Sequence, residues 1–564
     1  MANVAIGGKM SKNLTALAQR QGIDNTLFQE LVIGEDTKSK AQRKAKAKEL
    51  LIGEAIVHGT ASFYDFIDGD NANKKAYVCN GSSCMCAETQ TEVMTQLQKH
   101  YQADEIGHVT CLGRCAENGA FQINKENYSG EDIEKLDDIV SAKNIESAEF
   151  YHVESCIEPA ILTAEINDVA AYYQVFTDVI QQYSVDELLQ QVTDSGLRGR
   201  GGAGFPTGFK WRSCRDVVGD EKYIVCNADE GDAGAFSDRY LLEQRPHSVL
   251  FGMLMAGYLA GAKTAVLYIR DEYPQAIRAT EQAINEFEAL NLLATSEFNF
   301  NFKIIRGAGA YICGEETALL RSIEGQRPLV SVRPPFPTQS GLFGCPTILN
   351  NVETFASINF ILSAGADKYL ALGNGKSTGS KLVSLDGSFN KPGIYEVTMG
   401  MALAELFAVA GGFSKSLKAL HIGGPLGGVV PVSAVDNLTI DFESFAENGF
   451  LLGHASVIGL PESVSMIDYI EHLFEFTAAE SCGKCYPCKL GSVRGQEMVQ
   501  DAISGKQLID SELLDDLLET MQLGSLCALG GGVPLPIQNI LQHFADEIHP
   551  FIKVSNSSEE STRV

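Results

Sequence analysis

The spacing of apolar residues predicts that helices and strands alternate through most of the chain. Residues 249–269, VLFGMLMAGYLAGAKTAVLYI, are almost continuously apolar, but Lys263 and three glycines interrupt them. This stretch predicts a buried helix that runs into a β-strand, and not a membrane span. Residues 184–197, SVDELLQQVTDSGL, place leucines at helical spacing behind Ser184, a favourable N-cap. The alternation predicts an α/β protein.

Shorter segments add to this pattern. β-rich runs at Ala76–Val78 and His108–Thr110 and a buried run at Tyr223–Cys226 predict strands, and residues 208–218 predict a helix. Residues 381–455 read as short strands around one helix. With 564 residues the chain is too long for one core, so we expect several domains.

Charge and cysteine content narrow the function classes. The formal net charge is −28, which disfavours binding to nucleic acid or to anionic lipid. The basic run at 38–48 is short and is typical of a solvated helix face. The N-terminus lacks the apolar core of a signal peptide, so we expect a cytoplasmic protein. Fourteen cysteines in a reducing compartment favour metal binding over disulfides.

Four cysteines in the first part of the chain form two pairs. Cys79 and Cys84 follow one predicted strand, and Cys111 and Cys115 follow the next. Thiolates at two strand ends can converge on one small cluster, and the small residues between them leave backbone amides free to hydrogen-bond to sulfur. The spacing favours [2Fe–2S] over zinc or over four free thiols, while Cys86 could replace Cys84.

A second cysteine group lies near the end of the chain. Cys482, Cys485 and Cys488 have the C-x2-C-x2-C spacing that wraps three thiolates around a cubic cluster, and Glu480–Ser481 before them resemble a helix start. Cys527, at the end of the amphipathic stretch SELLDDLLETMQL, is the fourth candidate ligand. A four-cysteine [4Fe–4S] site fits best, with zinc as the alternative.

A glycine-rich loop, LRGRGGAGFPTGFKW at 197–211, predicts a binding site for an anion or a nucleotide. It contains G-x-G-x-x-G, but a helix precedes it where the dinucleotide fingerprint requires a strand. Its glycines permit close backbone approach, its basic residues supply positive charge, and a predicted helix N-terminus follows. A flexible linker is the alternative, but a linker would lack the aromatic residues.

Polar residues follow the predicted strands of the same region. Asn227, Asp229, Glu230 and Asp232 come after the strand at 223–226, where open α/β sheets bind ligands, although a solvated turn would look the same. Residues 314–316 open a helix with two carboxylates, and residues 332–354 form a proline-rich loop that ends in an amide pair.

Six motifs in order carry a family resemblance: GRGGAGFPTG, CNADEGD, GAGAYICGEETAL, RPPFP, NNVET and ESCGKC. Residues 180–530 resemble the NADH-binding flavoprotein subunit of respiratory complex I, of NAD-dependent formate dehydrogenases and of NAD-linked hydrogenases. Residues 1–150 resemble the companion thioredoxin-like [2Fe–2S] subunit, fused here to the flavoprotein. Ala233, Arg333 and Ser213 depart from the family pattern and put the fine geometry of the NADH site in question.

The resemblance implies the cofactors FMN, NAD(H), one [4Fe–4S] and one [2Fe–2S]. Hydride would pass between NAD(H) and FMN and single electrons would pass to the clusters, so no side chain is nominated as a catalytic acid or nucleophile. The implied FMN residues are Gly199, Arg200, Gly202, Lys210, Asn227, Asp229, Glu230, Tyr311, Gly314, Glu315, Asn350 and Asn351. The implied NADH residues are Phe205, Asp232, Glu316, Arg333 and Phe336.

The expected architecture is a multidomain α/β chain with an SLBB-type β-grasp insert that serves as a structural spacer. The expected segments are a helical segment at 1–60, a thioredoxin-like [2Fe–2S] domain at 61–150, an FMN/NADH-binding domain at 151–375, the insert at 376–460 and a helical [4Fe–4S] domain with a tail at 461–564. We expect a diaphorase-type subunit with a catalytic partner that carries further iron–sulfur clusters. The first choice for that partner is a molybdenum- or tungsten-dependent formate dehydrogenase, the second is a nickel–iron hydrogenase module and the third is complex I; a relay without flavin is the alternative.

Overall fold

The computed structural model describes residues 28, 31–32, 39–69, 71–141, 150–294 and 298–553. The predicted segment at 1–60 therefore lies mostly outside the described residues. What is described of it contains helices Lys40–Glu49 and Glu54–Ala61, the first of which holds most of the basic run and begins at a Ser39 capping box.

A four-stranded sheet forms the core of the next domain, in the order β2-β1-β3-β4. Strand β1 (Ala76–Cys79) pairs in parallel with β2 (Ile106–Val109), so both strands end at the same edge. Strands β3 (Phe121–Ile123) and β4 (Glu126–Tyr128) complete the sheet in antiparallel fashion. The helices of this domain are Ser82–Cys86, Gln90–Leu97 and Leu136–Val140.

The central domain is built on a fully parallel sheet in the order β8-β7-β6-β9. Its strands are β6 (Tyr223–Ala228), β7 (Thr264–Ile269), β8 (Asn301–Arg306) and β9 (Thr347–Asn351). The sequence predicted the helix and strand at 249–269, and the structure confirms them as Pro246–Ala260 and β7. The Ser184 cap is also confirmed, because its side chain accepts a hydrogen bond from the Glu187 N–H. The other helices are Val169–Gln182, Val185–Asp194, Thr207–Asp216, Ser237–Gln244, Pro274–Ala289, Glu316–Ile323, Pro337–Ser340, Val352–Ala356, Ile358–Ala364 and Ala366–Leu370.

The insert is a six-stranded sheet in the order β15-β14-β16-β12-β13-β5, preceded by the short hairpin of β10 (Gly373–Asn374) and β11 (Ser377–Thr378). Strand β5 (His152–Ser155) pairs in parallel with β13. It joins this sheet although the predicted boundaries place it in the FMN/NADH segment. The remaining strands are β12 (Ser380–Leu385), β13 (Gly393–Thr398), β14 (Leu417–Ile422), β15 (Gly428–Pro431) and β16 (Ser456–Pro461), with helices Leu403–Val409 and Phe442–Glu447.

The last domain is helical. Helix Met466–Glu480 ends just before the cysteine loop, and the next helix begins at Tyr486, so the prediction of a helix start at Glu480–Ser481 is wrong. Glu480 is the last residue of the preceding apolar helix and Ser481 is its C-cap, so that helix sets the boundary. The helices are Met466–Glu480, Tyr486–Ile503, Ser511–Gly524, Ala528–Gly532, Pro534–His543 and Ala545–Ile548. None of the helices in the described ranges is both long and apolar enough to cross a membrane.

Candidate flavin, nicotinamide and iron–sulfur sites

The glycine-rich loop closes onto the start of helix Thr207–Asp216. Arg198 and Pro206 form an isolated bridge across the loop, and Gly199 N–H donates to the Phe205 carbonyl at 2.9 Å. Gly202 has φ +103° and Gly204 has φ +59°, a backbone conformation that side chains rarely adopt. The loop is therefore a tight, glycine-dependent turn in front of a helix N-terminus, and not a flexible linker.

Arg200 gives the loop a buried positive charge. Its side chain is fully buried, and its Nη2 donates to the Tyr369 hydroxyl at 3.0 Å and to the Thr378 carbonyl. Its Nε and Nη1 have no hydrogen-bond partner within the described chain. Buried N–H groups without acceptors destabilise a protein unless a ligand accepts from them. The guanidinium therefore fits an anionic group such as the FMN phosphate.

Lys210, one helical turn into Thr207–Asp216, connects the loop to two other elements. Its Nζ donates to the Leu349 carbonyl on β9 at 2.9 Å and lies 3.8 Å from Glu316 Oε2. Burial lowers the pKa of Lys210, and the Glu316 carboxylate opposes that shift. Glu316 in turn accepts from Arg333 Nη1 at 2.6 Å, so one carboxylate is shared by two cations.

The carboxyl ends of β6 and β9 bring the predicted amides together. Asn227 pairs with Asn351, and Asn350 lies one position earlier on β9. Asn227 Nδ2 donates to the Gly314 carbonyl at 2.8 Å, and Asn350 Oδ1 accepts from Trp211 Nε1 at 2.9 Å. The parallel register therefore gathers these residues at the edge where open α/β sheets bind ligands.

Two predicted carboxylates cap helices. Glu315 accepts from the N–H groups of Thr317 and Ala318 at the start of helix Glu316–Ile323. Glu230 Oε1 accepts from Asp238 N–H at 3.0 Å, and its Oε2 accepts from Arg239 N–H at 3.1 Å. Both oxygens of Glu230 already have protein partners, so its assignment to FMN stays a prediction.

Asp229 and Asp232 occupy partly buried positions in the loop that follows β6. The Oδ2 atom of Asp229 is buried and has no hydrogen-bond partner in the described chain, and desolvation raises the pKa of this carboxyl well above the usual value. Asp232 accepts from the Tyr311 hydroxyl at 2.7 Å. Burial raises the pKa of Asp232, and the Tyr311 hydrogen bond opposes that shift. An unpartnered buried carboxylate oxygen fits a ligand that offers hydrogen-bond donors.

The aromatic residues predicted for NADH are exposed beside helix Thr207–Asp216. Phe205 is 47% exposed and packs edge-on against Phe209, with ring centroids 5.8 Å apart. Phe336 is 51% exposed and begins helix Pro337–Ser340. The hydroxyls of Ser213 and Thr338 lie 3.2 Å apart and hold this helix against Thr207–Asp216. Large exposed aromatic rings beside a polar pocket suit stacking on a planar ligand.

The first cysteine group converges at the ends of β1 and β2. The Cys111 and Cys115 Sγ atoms lie 3.5 Å apart. The Cys79 thiol donates to the Thr110 carbonyl at 3.6 Å, and the neighbouring Cys84 thiol, together with burial, raises the pKa of Cys79. Gly113 and Gly234 N–H groups donate to Cys111 and Cys115 sulfurs at 3.3 and 3.2 Å. Cys86 packs instead against Ala233 and Tyr469, in another cluster.

The second cysteine group converges between helices. Cys482 and Cys488 are buried beside Ile312, with Cys485 and Cys527 packed against the same cluster. The Ser481 hydroxyl lies 3.3 Å from Cys488 Sγ. A Cβ at Gly530 would lie 3.0 Å from that sulfur, so a glycine is needed there.

The contacts of the first cysteine group suit iron–sulfur ligands. The Cys111 and Cys115 sulfurs lie 3.5 Å apart, as two thiolates on one iron would, and main-chain N–H groups donate to both. In the second group the C-x2-C-x2-C spacing with Cys527 suits a cubic cluster.

Comparison with known proteins decides the family. Residues 192–359 match the Nuo51 FMN-binding domain, residues 468–550 match the NADH-ubiquinone oxidoreductase-F iron-sulfur binding region, and residues 35–144 match the thioredoxin-like [2Fe-2S] ferredoxin. The mitochondrial NADH dehydrogenase (ubiquinone) flavoprotein 1 of Dictyostelium discoideum is 37% identical over 380 residues, which are 65% of this chain and 79% of that protein. The chain belongs to the family of NADH-oxidising flavoprotein subunits.

This family also includes proteins that match nearly the whole chain. The alpha subunit of the NAD-reducing hydrogenase HoxS of Cupriavidus necator is 33% identical over 528 residues, 87% of this chain and 85% of that protein. A crystal structure of NAD+-reducing [NiFe]-hydrogenase in the H2-reduced state superposes with a TM-score of 0.82 at 28% identity, covering 94% and 93% of the two chains. The predicted fold class and the cofactor set of FMN, NAD(H), [2Fe–2S] and [4Fe–4S] are therefore confirmed.

Sequence reasoning missed several residues that support this flavoprotein site. Thr354 accepts from the Arg200 main-chain N–H at 2.9 Å, and Tyr369 and Thr378 orient the guanidinium. His454 lies near Glu230 and Asp238. Thr354 belongs to the NNVET motif, which could have indicated it, whereas the other three are distant in sequence and lie in no motif.

Proposed function

We propose that the chain is the NAD(H)-oxidising and FMN-carrying subunit of a larger oxidoreductase, with the residue set of the glycine loop and the strand ends as its FMN site. The observation that carries the proposal is the convergence of that loop, with its buried Arg200, and the polar ends of β6 and β9. Both thiol groups flank the same region, because Gly234 N–H donates to Cys115 and Ile312 packs beside Cys482 and Cys488.

Each group of residues has a separate role in this proposal. Arg200 and Lys210 hold the phosphate side of FMN, since Arg200 is a buried cation of the loop and Lys210 is a cation in the first turn of its helix. Asn227, Asp229, Asn350 and Asn351 orient polar edges of the ligand from the strand ends. Phe205 and Phe336 stack on the adenine, and Glu316 with Arg333 positions the nicotinamide nucleotide.

FMN, when bound, accepts an electron pair as hydride and releases electrons one at a time, which is the chemistry that links NAD(H) to iron–sulfur clusters. The chain supplies position and electrostatics. The Tyr311 hydroxyl donates a hydrogen bond to Asp232, and the Tyr311 main-chain N–H donates to the Glu480 carboxylate. Tyr311, which is assigned to the FMN site, is therefore bonded to the last residue of helix Met466–Glu480, directly before the [4Fe–4S] cysteines.

A ferricyanide assay tests the proposal against the relay alternative. The purified iron-loaded chain, supplied with FMN, should reduce ferricyanide with NADH as donor. Lys210→Met should weaken FMN binding, because it removes a cation of the proposed phosphate site. The iron content should stay the same, because Lys210 contacts none of the cysteines. A chain that retains both clusters but shows neither FMN binding nor NADH-dependent ferricyanide reduction would be an iron–sulfur relay.

The proposed partner is an enzyme that exchanges electrons with this chain and that docks against its [4Fe–4S] domain. The match over 528 residues with the HoxS alpha chain, whose name assigns it to a NAD-reducing hydrogenase, favours a nickel–iron module. The fused [2Fe–2S] domain and the RPPFP motif favour the two soluble enzymes, formate dehydrogenase and hydrogenase, over complex I, and formate dehydrogenase is the first choice from the resemblance. Purification with native neighbours separates the two: nickel in the complex supports the hydrogenase, and molybdenum or tungsten supports the formate enzyme.

The proposal includes a cytoplasmic location. Its support is the cysteine chemistry, since all fourteen cysteines are free thiols in the structure and eight of them are the proposed cluster ligands. Cell fractionation, with immunodetection of the chain in each fraction, checks this part directly.

A further inference from the structure

The β-grasp insert contacts the proposed pocket with two of its loops. Gly424 packs directly against the Asp232 side chain. A Cβ at Gly202 of the glycine-rich loop would lie 3.4 Å from the Gly453 carbonyl carbon. The insert therefore adjoins both the acidic loop and the glycine-rich loop, which a pure spacer does not require.

His454, next to Gly453, lies between two acidic residues of the pocket wall. It is 7% exposed, its Nε2 lies 3.3 Å from Asp238 Oδ2, and its Nδ1 lies 3.8 Å from Glu230 Oε1. Asp238 also accepts from Asn351 Nδ2 at 2.5 Å. Glu230 caps helix Ser237–Gln244 and accepts from the Tyr273 hydroxyl at 3.2 Å. One imidazole thus connects the insert to the residues that follow β6 and β9.

The charges around His454 favour its cationic form. Burial lowers the pKa of His454, but the Asp238 carboxylate and its hydrogen bond outweigh burial and raise the pKa to about 9. The Glu230 carboxylate contributes to that increase in the pKa of His454, and the His454 cation in turn lowers the pKa of Asp232. Lys381 on β12 opposes the cation, although Lys381 is itself paired with Glu353 on helix Val352–Ala356.

We propose that His454 is a positioning residue of the FMN and NAD(H) pocket, which as a cation between Glu230 and Asp238 holds the loop 227–232 in its ligand-binding conformation. This inference rests on the proposed function, because that function assigns the loop to the ligands. Burial and the Asp238 carboxylate raise the pKa of Glu230 to about 7, and the His454 cation opposes that shift. Without the cation, the two buried carboxylates would repel each other or Glu230 would take up a proton, and either change would displace the loop.

The same three side chains could also be a metal site, since their ligand atoms lie within 4.8 Å of one another. Asp238 Oδ1 and His454 Nδ1 lack hydrogen-bond partners among the described residues. However, both Glu230 oxygens are engaged by helix N–H groups, and a protonated imidazole balances the acids without an ion. A bound ion is therefore an outcome of the test, which would overturn the proposal.

The test is FMN affinity as a function of pH, measured by quenching of FMN fluorescence on the full iron-loaded chain after flavin removal. His454→Gln should weaken FMN binding about tenfold at pH 7, the loss typical of one charge-assisted hydrogen bond. The wild-type affinity should fall as the pH rises through about 9, because the cation is lost there. The variant should lack that step.

His421→Gln is the matched control. His421 is also buried in the insert, but it hydrogen-bonds to Tyr469, and burial lowers its pKa to about 4, so it carries no charge at pH 7. The His421→Gln change should leave FMN affinity unchanged. Iron content and far-ultraviolet circular dichroism verify folding of each variant.

Three results would overturn the inference. They are a wild-type affinity that stays constant from pH 7 to about pH 10, a His454→Gln protein that matches wild type, and a stoichiometric metal ion that the His454→Gln change removes. A pH step that persists in His454→Gln would belong to another group, such as Lys210, whose pKa burial lowers, or the flavin N3–H, and would also contradict the inference. A wild-type chain that binds no FMN at any pH would instead refute the proposed function.

Discussion

Tyr311 donates a hydrogen bond from its hydroxyl to Asp232 Oδ1 at 2.7 Å, and this bond joins the acidic loop after β6 to the residue that contacts the [4Fe–4S] domain. The Tyr311 ring packs edge-on against Phe476, with centroids 4.9 Å apart, and its N–H donates to Glu480. One residue therefore contacts both the proposed nicotinamide site and the helix that precedes Cys482.

Tyr311→Phe should weaken NADH binding about fivefold, the effect of one lost hydrogen bond to a buried carboxylate, with iron content unchanged. The Tyr311 hydrogen bond lowers the pKa of Asp232, which burial raises, so its loss should raise that pKa further. The acid side of the pH profile for kcat/KM should therefore move to higher pH, because Asp232 is protonated sooner as the pH falls. Tyr395→Phe is the control. The Tyr395 hydroxyl donates to the Lys391 carbonyl inside the insert, so its loss should leave the pH profile unchanged.

Cys84→Ser should abolish the [2Fe–2S] signal in the electron paramagnetic resonance spectrum of the reduced protein, whereas Cys86→Ser should retain it. Cys84 contacts Cys79, while Cys86 packs against Ala233 and Tyr469 in a separate cluster. Iron analysis checks the same point, since the first variant should lose about two irons per chain. Retention of the signal in Cys84→Ser with its loss in Cys86→Ser would exchange the two assignments.

Gly530→Ala should destroy the [4Fe–4S] site. A Cβ there would lie 2.5 Å from Cys488 Cβ and 3.0 Å from its sulfur, so the cysteine would have to move. Gly531→Ala is a close control, because its Cβ would meet no atom nearer than 3.4 Å. Equal iron content in both variants would show that Cys488 is not held where the structure places it.

Glu316→Gln should raise the KM for NADH about tenfold, since the neutral amide no longer balances Arg333 and Lys210. Iron and its spectroscopic signals should remain, because Glu316 contacts neither cysteine group in the described structure. Glu281→Gln, which removes a half-exposed pair with Arg306, should have no effect on KM. Iron loss in Glu316→Gln would contradict the assigned role.

Local sequence signals predicted the elements that depend on local physics. The Ser184 cap, the buried helix before β7 and the strands that precede each cysteine pair follow from neighbouring residues alone. Strand β9 is different, because the sequence predicted only a proline-rich loop over residues 332–354. The structure places helix Pro337–Ser340 and strand β9 there, and the parallel pairing of β9 with β6 gathers Asn227 and Asn351.

The sequence pattern could not predict which strands pair when they lie far apart along the chain. Strand β5 pairs with β13, some 240 residues later, and only the tertiary fold specifies that register. The buried network of His454, Glu230 and Asp238 likewise joins residues from separate domains. Glu480 and Ser481 carry helix-start residue types at a helix end because the preceding apolar helix, and not the local cap signal, sets that boundary.

The most direct test of the central claim is an anaerobic titration of the FMN-loaded chain with NADH, followed by visible absorbance. The account predicts that one equivalent of flavin per chain is bound and that its absorbance bleaches at once on addition of NADH, followed by partial bleaching of the iron–sulfur bands. A folded chain that holds both clusters, yet binds no flavin or keeps its flavin oxidised in excess NADH, would contradict the account.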